Sequence, residues 1–274
     1  LGHVRGCLAI VTVLTSMIFA SLSGSGPATT AAVGGIMIPE MERDGYDPGF
    51  SCSLAAAGGA MGPIIPPSIA FVIYSVLTGC SIGTMFIAGV LPGVLVGAIL
   101  CIFAYIVCRK YEFGSKRDRR SSPGEIWTAF RKAFWALIVP VIVLGGIYGG
   151  VVTPTEAGII ACDYALIVGF FVYRELKVRD LYRIFKNSLI TSSVVIILIG
   201  TAAGFSKILT MEKITVLCQQ FILSVSDQRW VILIMINVLL LIAGMFLETT
   251  AALLIFTPLL TPVILALDVD LIHF

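Results

Sequence analysis

Residues 81–108 form an unbroken run without a single charged side chain. A backbone in hydrocarbon must satisfy its own N–H and C=O groups, which only a helix or a closed barrel achieves. About 20 apolar residues suffice for a helix to cross. Four further stretches are long and apolar enough, near 50–74, 134–152, 156–173 and 189–209. These segments predict an all-helical membrane protein. Composition agrees: 58% of the 274 residues are hydrophobic, 12% are charged, and the mean hydropathy is +1.03. Soluble domains carry about 25% charged residues, so an ordinary soluble enzyme is excluded.

The charges fall in two places. Residues 109–132 hold Arg109, Lys110, Lys116, Arg117, Arg119, Arg120, Arg131 and Lys132, and residues 174–186 hold Arg174, Lys177, Arg179, Arg183 and Lys186. Two spans separate the clusters, so both lie on one side, which the positive-inside rule makes cytoplasmic. A net charge of +2 is too small to suggest a nucleic-acid partner. The seven cysteines contain no CxxC pair and mostly sit in apolar runs, where they read as small hydrophobes. The two histidines, His3 and His273, lie at opposite ends and support neither catalysis nor a metal site.

Two apolar regions, 7–39 and 230–264, are each broken in the middle, leaving halves that read as too short to span. They align at an offset of 220: Gly24 meets Gly244, and ATTAA (28–32) meets ETTAA (248–252). Counting spans, the first hairpin enters from the cytoplasm and the second from outside. The same motif in opposite orientation marks an inverted repeat of the kind found in secondary transporters, and both regions are expected to be re-entrant hairpins. Residues 178–189 and 210–226 have one apolar and one polar face. They read either as connectors along the membrane surface or as arms bracing a scaffold.

The break in the first region is SGSGPATTAAVGG, Ser23–Gly35. A helix running to about Leu22 would end there. A second would start with Pro27 in its first turn and Ser25 or Gly26 as its cap. The first helix offers free carbonyls and the second free amides. With the hydroxyls of Ser23, Ser25, Thr29 and Thr30, the carbonyls suit a hard cation such as sodium, and the amides suit a carboxylate. Tight packing through small residues explains the glycines and alanines, but neither the proline nor the clustered hydroxyls. A second break, GAMGPIIPPSIAF (Gly59–Phe71), carries Gly62, Pro63, Pro66 and Pro67 inside a span. Three prolines predict an unwound centre that contributes carbonyls and faces the first tip, the alternative being a kinked helix facing lipid. Three acids lie in apolar context: Glu156, Asp163 and Glu248. Glu156 follows Thr153-Pro154-Thr155, good N-terminal chemistry for a helix, so it reads as a cap or a site support. Glu248 follows the break of the second hairpin and reads as a site residue. No role follows for Asp163.

Together, SGSGPATTAAVGGIMIPEM, GYDPGF, GPIIPPSIAFVIY, TPTEAG, YRELKVRDL and GMFLETTAALLIFTPLLTPV resemble the large membrane subunit of TRAP transporters (tripartite ATP-independent periplasmic transporters, DctM-like), in the family's order along the whole chain. The resemblance implies sodium-driven uptake of organic acids such as sialic acid, C4-dicarboxylates or other oxo- and hydroxy-acids. It implies a multi-pass protein of the bacterial inner (cytoplasmic) membrane, a soluble periplasmic substrate-binding protein (DctP-like), a small membrane subunit (DctQ-like), and no cofactor beyond sodium as coupling ion. It also implies an elevator mechanism, in which a transport domain carrying both hairpins slides against a scaffold. By motif, Ser23, Gly24, Ser25, Thr29 and Thr30 fall at the first tip. Gly62, Pro63, Pro66 and Pro67 fall at the unwound helix, and Gly244, Glu248, Thr249 and Thr250 at the second tip. Thr153, Thr155 and Glu156 support the site.

Family members extend beyond both ends of this sequence, so the chain is expected to be a fragment. Asp163 stands where the family usually has an apolar or small residue. The expected organisation is a first-repeat transport region (1–108: hairpin 7–39, broken helix 50–74, span 81–108), a basic cytoplasmic loop (109–133), scaffold or arm helices (134–229), and a second hairpin opening an incomplete repeat (230–274). The alternative is a related elevator-type sodium/dicarboxylate symporter that needs no binding protein. An intramembrane enzyme would need a nucleophile–base pair or paired acids at depth, and no motif supplies one.

Overall fold

The computed structural model describes residues 6–114, 123–225 and 228–274. The expected basic residues Lys116, Arg117, Arg119 and Arg120, together with His3, lie outside them. The described residues are helical and contain no strand. They divide into two compact units, Leu1–Phe71 with Phe86–Val172, and Val72–Met85 with Tyr173–Phe274.

In the first unit, α1 (Cys7–Ser23) and α2 (Gly26–Arg43) form a hairpin. Helix α3 (Pro48–Gly59) starts on Asp47, whose carboxylate accepts from Phe50 N at 2.8 Å, with Pro48 in the first turn. It ends at Gly59, and no helix resumes until α4 (Ile69–Thr78). The span expected over 50–74 is therefore two short helices around an unwound stretch, as three prolines without N–H groups require. Helix α5 (Ile82–Lys110) tolerates Pro92 within it. Helix α6 (Pro123–Tyr148) begins well before the expected 134, so Arg131 and Lys132 belong to a helix rather than a loop. Helix α7 (Pro154–Ile167) continues as a π turn at Val168–Val172. The core gathers Ala9, Val13, Met41, Leu54, Met61 and Ala104 around α1, α2, α3 and α5, with Tyr46 and Cys108 at one end. All seven cysteines are free.

In the second unit, α8 (Val178–Met211) is one helix of 34 residues. The two-faced segment at 178–189 is continuous with the expected span at 189–209. The sequence has neither Gly nor Pro between Val178 and Gly200, so nothing breaks the helix at that join. At ~1.5 Å per residue, α8 measures ~51 Å, well beyond the ~30 Å of hydrocarbon, so one end projects from it. Helix α9 (Ile214–Val225) occupies the second surface segment, followed by the hairpin of α10 (Arg229–Gly244) and α11 (Thr249–Ala266). Ile232, Ile236, Leu260, Val263, Ile264 and Val269 form its core.

Among the described residues, five helices are long and apolar enough to cross a membrane: Ile82–Lys110, Trp127–Tyr148, Pro154–Val172, Val178–Met211 and Thr249–Ala266. Four of them correspond to expected spans. The fifth, α11, has 18 residues and meets the length and composition of a span, where the sequence suggested too short a half.

Candidate functional site

The first hairpin turns in two residues. Gly24 ends α1 in the left-handed region, φ 60°, and donates its N–H to Ala20 O. Only glycine adopts that conformation without a Cβ penalty. Ser25 is extended and caps α2 by position, but its side chain makes no capping hydrogen bond. Pro27 sits in the first turn, with its φ already helical. The hydroxyls turn back on the tip. Thr29 Oγ1 donates to Ser25 O at 2.8 Å, Ser23 Oγ pairs with Thr29 Oγ1 at 2.9 Å, and Thr30 Oγ1 donates to Gly26 O at 3.1 Å. Thr29 is fully buried. The hydroxyls thus hold the turn's shape, while the first amides of α2 receive no side chain.

The tip rests on the unwound stretch, backbone against backbone. A Cβ added at Gly62 would lie 2.6 Å from the Ser25 carbonyl carbon and oxygen, and 2.7 Å from Gly26 N. One added at Gly24 would lie 2.9 Å from Pro67 O, and one at Gly26 would lie 3.3 Å from Gly59 O and 3.6 Å from Pro63 Cδ. One at Gly59 would overlap the Thr30 hydroxyl. The sequence placed Ser23, Gly24, Ser25, Thr29 and Thr30 at a tip facing Gly62, Pro63 and Pro67, and the structure brings those residues together in the first unit. Pro66 is buried within the same stretch.

Ser68 was not singled out by the sequence. It is 2% exposed, donates from Oγ to Pro63 O at 2.6 Å, and accepts from Phe71 N at 3.4 Å. It closes the unwound stretch and starts α4, and a serine between Pro-Pro and an apolar run is the signal that marks it. Gly89 and Gly93 of α5 back the stretch: a Cβ at Gly93 would lie 2.8 Å from Ile65 Cγ1, and one at Gly89 3.1 Å from Ile64 O.

The second hairpin, in its own unit, is built differently. Helix α10 ends at Gly244, and the chain takes Met245–Leu247 before Glu248 caps α11. The Glu248 carboxylate accepts from Thr250 N at 2.8 Å, Ala251 N at 3.3 Å and Thr250 Oγ1 at 3.2 Å. A negative group thereby occupies the positive end of its own helix. Gly244, Glu248 and Thr249 are exposed.

At the start of α7, Thr153 Oγ1 accepts from Glu156 N at 3.3 Å, while the Glu156 carboxylate accepts from Thr153 N at 2.7 Å and from its hydroxyl at 2.8 Å. This reciprocal cap fixes the helix start. Thr155 lies in its first turn, and Asp163 is exposed further along.

Long apolar helices, and a hairpin tip packed on a proline-marked unwound stretch, define an all-helical integral membrane protein. A protein-family model described as "Tripartite ATP-independent periplasmic transporter, DctM component" matches residues 1–274. The chain is 45% identical over 277 residues to the isethionate TRAP transporter permease protein DctMQ of Oleidesulfovibrio alaskensis, covering 100% of this chain and 43% of that protein. It is 41% identical over 272 residues to the C4-dicarboxylate TRAP transporter large permease protein DctM of Pseudomonas aeruginosa, covering 99% of this chain and 63% of that one. With the sialic acid TRAP transporter large permease protein SiaM of Vibrio cholerae it shares 36% identity over 275 residues, covering 100% and 64%. The chain therefore belongs to the DctM family, the large membrane component of TRAP transporters. It spans between 43% and 64% of these three relatives' lengths.

Proposed function

We propose that this chain forms part of the large permease subunit of a sodium-coupled, binding-protein-dependent importer of an organic acid, working by an elevator mechanism. The observation that carries the reading is the first hairpin tip. It presents a helix N-terminus without a side-chain cap, packed so closely on the carbonyls of Gly59 and Pro67 that a Cβ at Gly24 would lie 2.9 Å from Pro67 O. Carbonyls and hydroxyls suit sodium, a hard cation. Free amides suit a carboxylate.

In this reading Ser23, Gly24, Ser25, Thr29 and Thr30, with Gly62, Pro63, Pro66 and Pro67, bind ion or substrate. Gly244, Thr249 and Thr250 contribute from the second hairpin. Glu248, whose carboxylate fills its own helix start, shapes that tip rather than receiving a substrate carboxylate. Thr153, Thr155 and Glu156 support the framework. Residues 1–108 and 230–274 carry the hairpins of a transport domain, and 134–229 belong to the scaffold and its arms. The clusters at 109–132 and 174–186 face the cytoplasm. The partners are a small membrane subunit, separate or fused as the name DctMQ suggests for one relative, and a periplasmic binding protein that delivers the acid. Membership of the TRAP family favours this reading over a symporter that works without a binding protein.

The test is uptake into proteoliposomes by the full-length permease with its small subunit and cognate binding protein. Replacing sodium by potassium is expected to lower uptake by roughly tenfold or more, within the usual range of coupling between sites. Ser25→Ala and Thr29→Ala are expected to weaken the sodium dependence. Uptake indifferent to sodium would sink the coupling, and unchanged sodium dependence in both variants would remove the first tip from the ion site.

A further inference from the structure

We propose that one face of α6 binds the headgroup of an acidic phospholipid, with Arg131 as the phosphate ligand. Trp127, Phe130, Arg131, Phe134, Trp135 and Ile138 recur at i, i+3, i+4, i+7, i+8 and i+11, which places them on a single helix face. The four aromatic side chains are 66%, 45%, 40% and 41% exposed. They contact one another in series, with centroids 5.9 Å apart for Trp127–Phe130, 5.9 Å for Phe130–Phe134 and 5.6 Å for Phe134–Trp135. Arg131 is exposed amid them and forms no ion pair among the described residues. The Tyr164 hydroxyl of α7 donates to Trp135 O at 2.9 Å and ties this part of α6 to its neighbour.

Length places the face at a definite depth. From Phe134 to Tyr148 the helix carries no charge. The stretch from Arg131 to Tyr148, itself 39% exposed, spans ~26 Å, close to the ~30 Å hydrocarbon thickness. With Tyr148 at one interface, Arg131 stands at the headgroup level of the other, where tryptophan rings concentrate. An arginine fork matches phosphate oxygens, and the exposed Lys132 beside it adds positive charge that favours an acidic lipid over a zwitterionic one. The inference rests on α6 crossing the bilayer, not on the transport reading, so the two fail separately.

Phosphatidylglycerol and phosphatidylcholine brominated in their acyl chains quench tryptophan on contact, and the full-length permease in vesicles of each gives the test. Brominated phosphatidylglycerol is expected to quench more strongly at equal content, with the excess lowered by Trp135→Phe, one turn inside Arg131. Arg131→Gln should lower the preference about fivefold, the weight of one cation at an anionic surface, and Arg131→Lys should retain most of it. Equal quenching by both lipids would overturn the proposal, as would an excess untouched by Arg131→Gln. So would absent quenching with Phe130→Cys cross-linking to the small subunit, which would make the face a protein interface.

Discussion

The two hairpins share a motif and differ in how their second helix begins. The alignment that sets ATTAA on ETTAA puts Ala28 opposite Glu248. Ala28 is the third residue of α2, whereas Glu248 is the residue before α11, so the second helix starts nearly one turn later in its motif. The reason is local chemistry. Gly26-Pro27 begins α2 early, because proline is already in helical φ and lacks the N–H that would go unpaired. The second hairpin has Phe246-Leu247 at those positions, neither able to cap or preset a helix. The first acceptor side chain, Glu248, then takes over. One tip is left with an open amide end closed onto packed backbone, and the other carries its own anion. Similarity of sequence therefore does not carry over into equivalence of the two helix starts.

The largest effect should separate the two tips by packing. Gly62→Ala forces a Cβ to within 2.6 Å of the Ser25 carbonyl, so backbone must move, at a cost of about 1–3 kcal/mol. A Cβ at Gly244 meets nothing within 4 Å, and Gly244→Ala should stay within about 1 kcal/mol, on the stabilising side where helix propensity acts. Apparent melting temperatures of the purified full-length variants make the comparison. A fall for Gly244→Ala as steep as that for Gly62→Ala would show the second tip packed as closely by chain beyond these residues.

Capping should separate them next. Glu248→Ala removes an acceptor for two amides and one hydroxyl, and a lost N-cap costs about 0.5–2 kcal/mol. Ser25→Ala removes no side-chain cap and should change stability by no more than about 0.5 kcal/mol. Any loss of sodium dependence in that variant then reads as a site effect. Equal destabilisation by the two substitutions would erase the distinction between an open and a self-capped end.

The smallest effect lies in the hydroxyl pair. Ser23→Ala and Thr29→Ala each remove one partner of a 2.9 Å contact and should cost about 1 kcal/mol. The double variant should lose less than the sum by about 0.5–1.5 kcal/mol, since contacting residues are not additive. Thr249→Ala, at an exposed position of the other tip, should be near neutral. Strict additivity of the Ser23 and Thr29 changes would mean that the pair contributes nothing beyond its members.

Much of this was legible in the chain because it is written in short-range chemistry. Apolar run length announced helices, three prolines announced the unwound stretch between Gly59 and Ile69, and Thr153-Pro154-Thr155-Glu156 announced a capped helix start. The packing of Gly62 on Ser25, 37 positions apart, was legible only as a pair of breaks that face each other. Which glycine meets which carbonyl depends on how two helices cross, and no local pattern encodes that. Ser68 was overlooked because its two partners, Pro63 O and Phe71 N, mark it as a closure only once the chain has unwound between them. That the two-faced segment at 178–189 runs unbroken into the span after it was not legible, because its pattern is shared by a surface connector and by the outer end of a helix leaving the membrane.

By itself the sequence determined the class of protein, the helix-breaking positions and the family, because hydrocarbon imposes composition directly on the chain and proline forbids the helix wherever it stands. The tertiary structure alone decided that the first tip is sealed against the unwound backbone while its amide end stays uncapped. It also decided that Glu248 turns inward on its own helix. Those outcomes depend on the chain's crossing geometry and on which acceptor reaches an amide first, and a linear pattern of residues specifies neither.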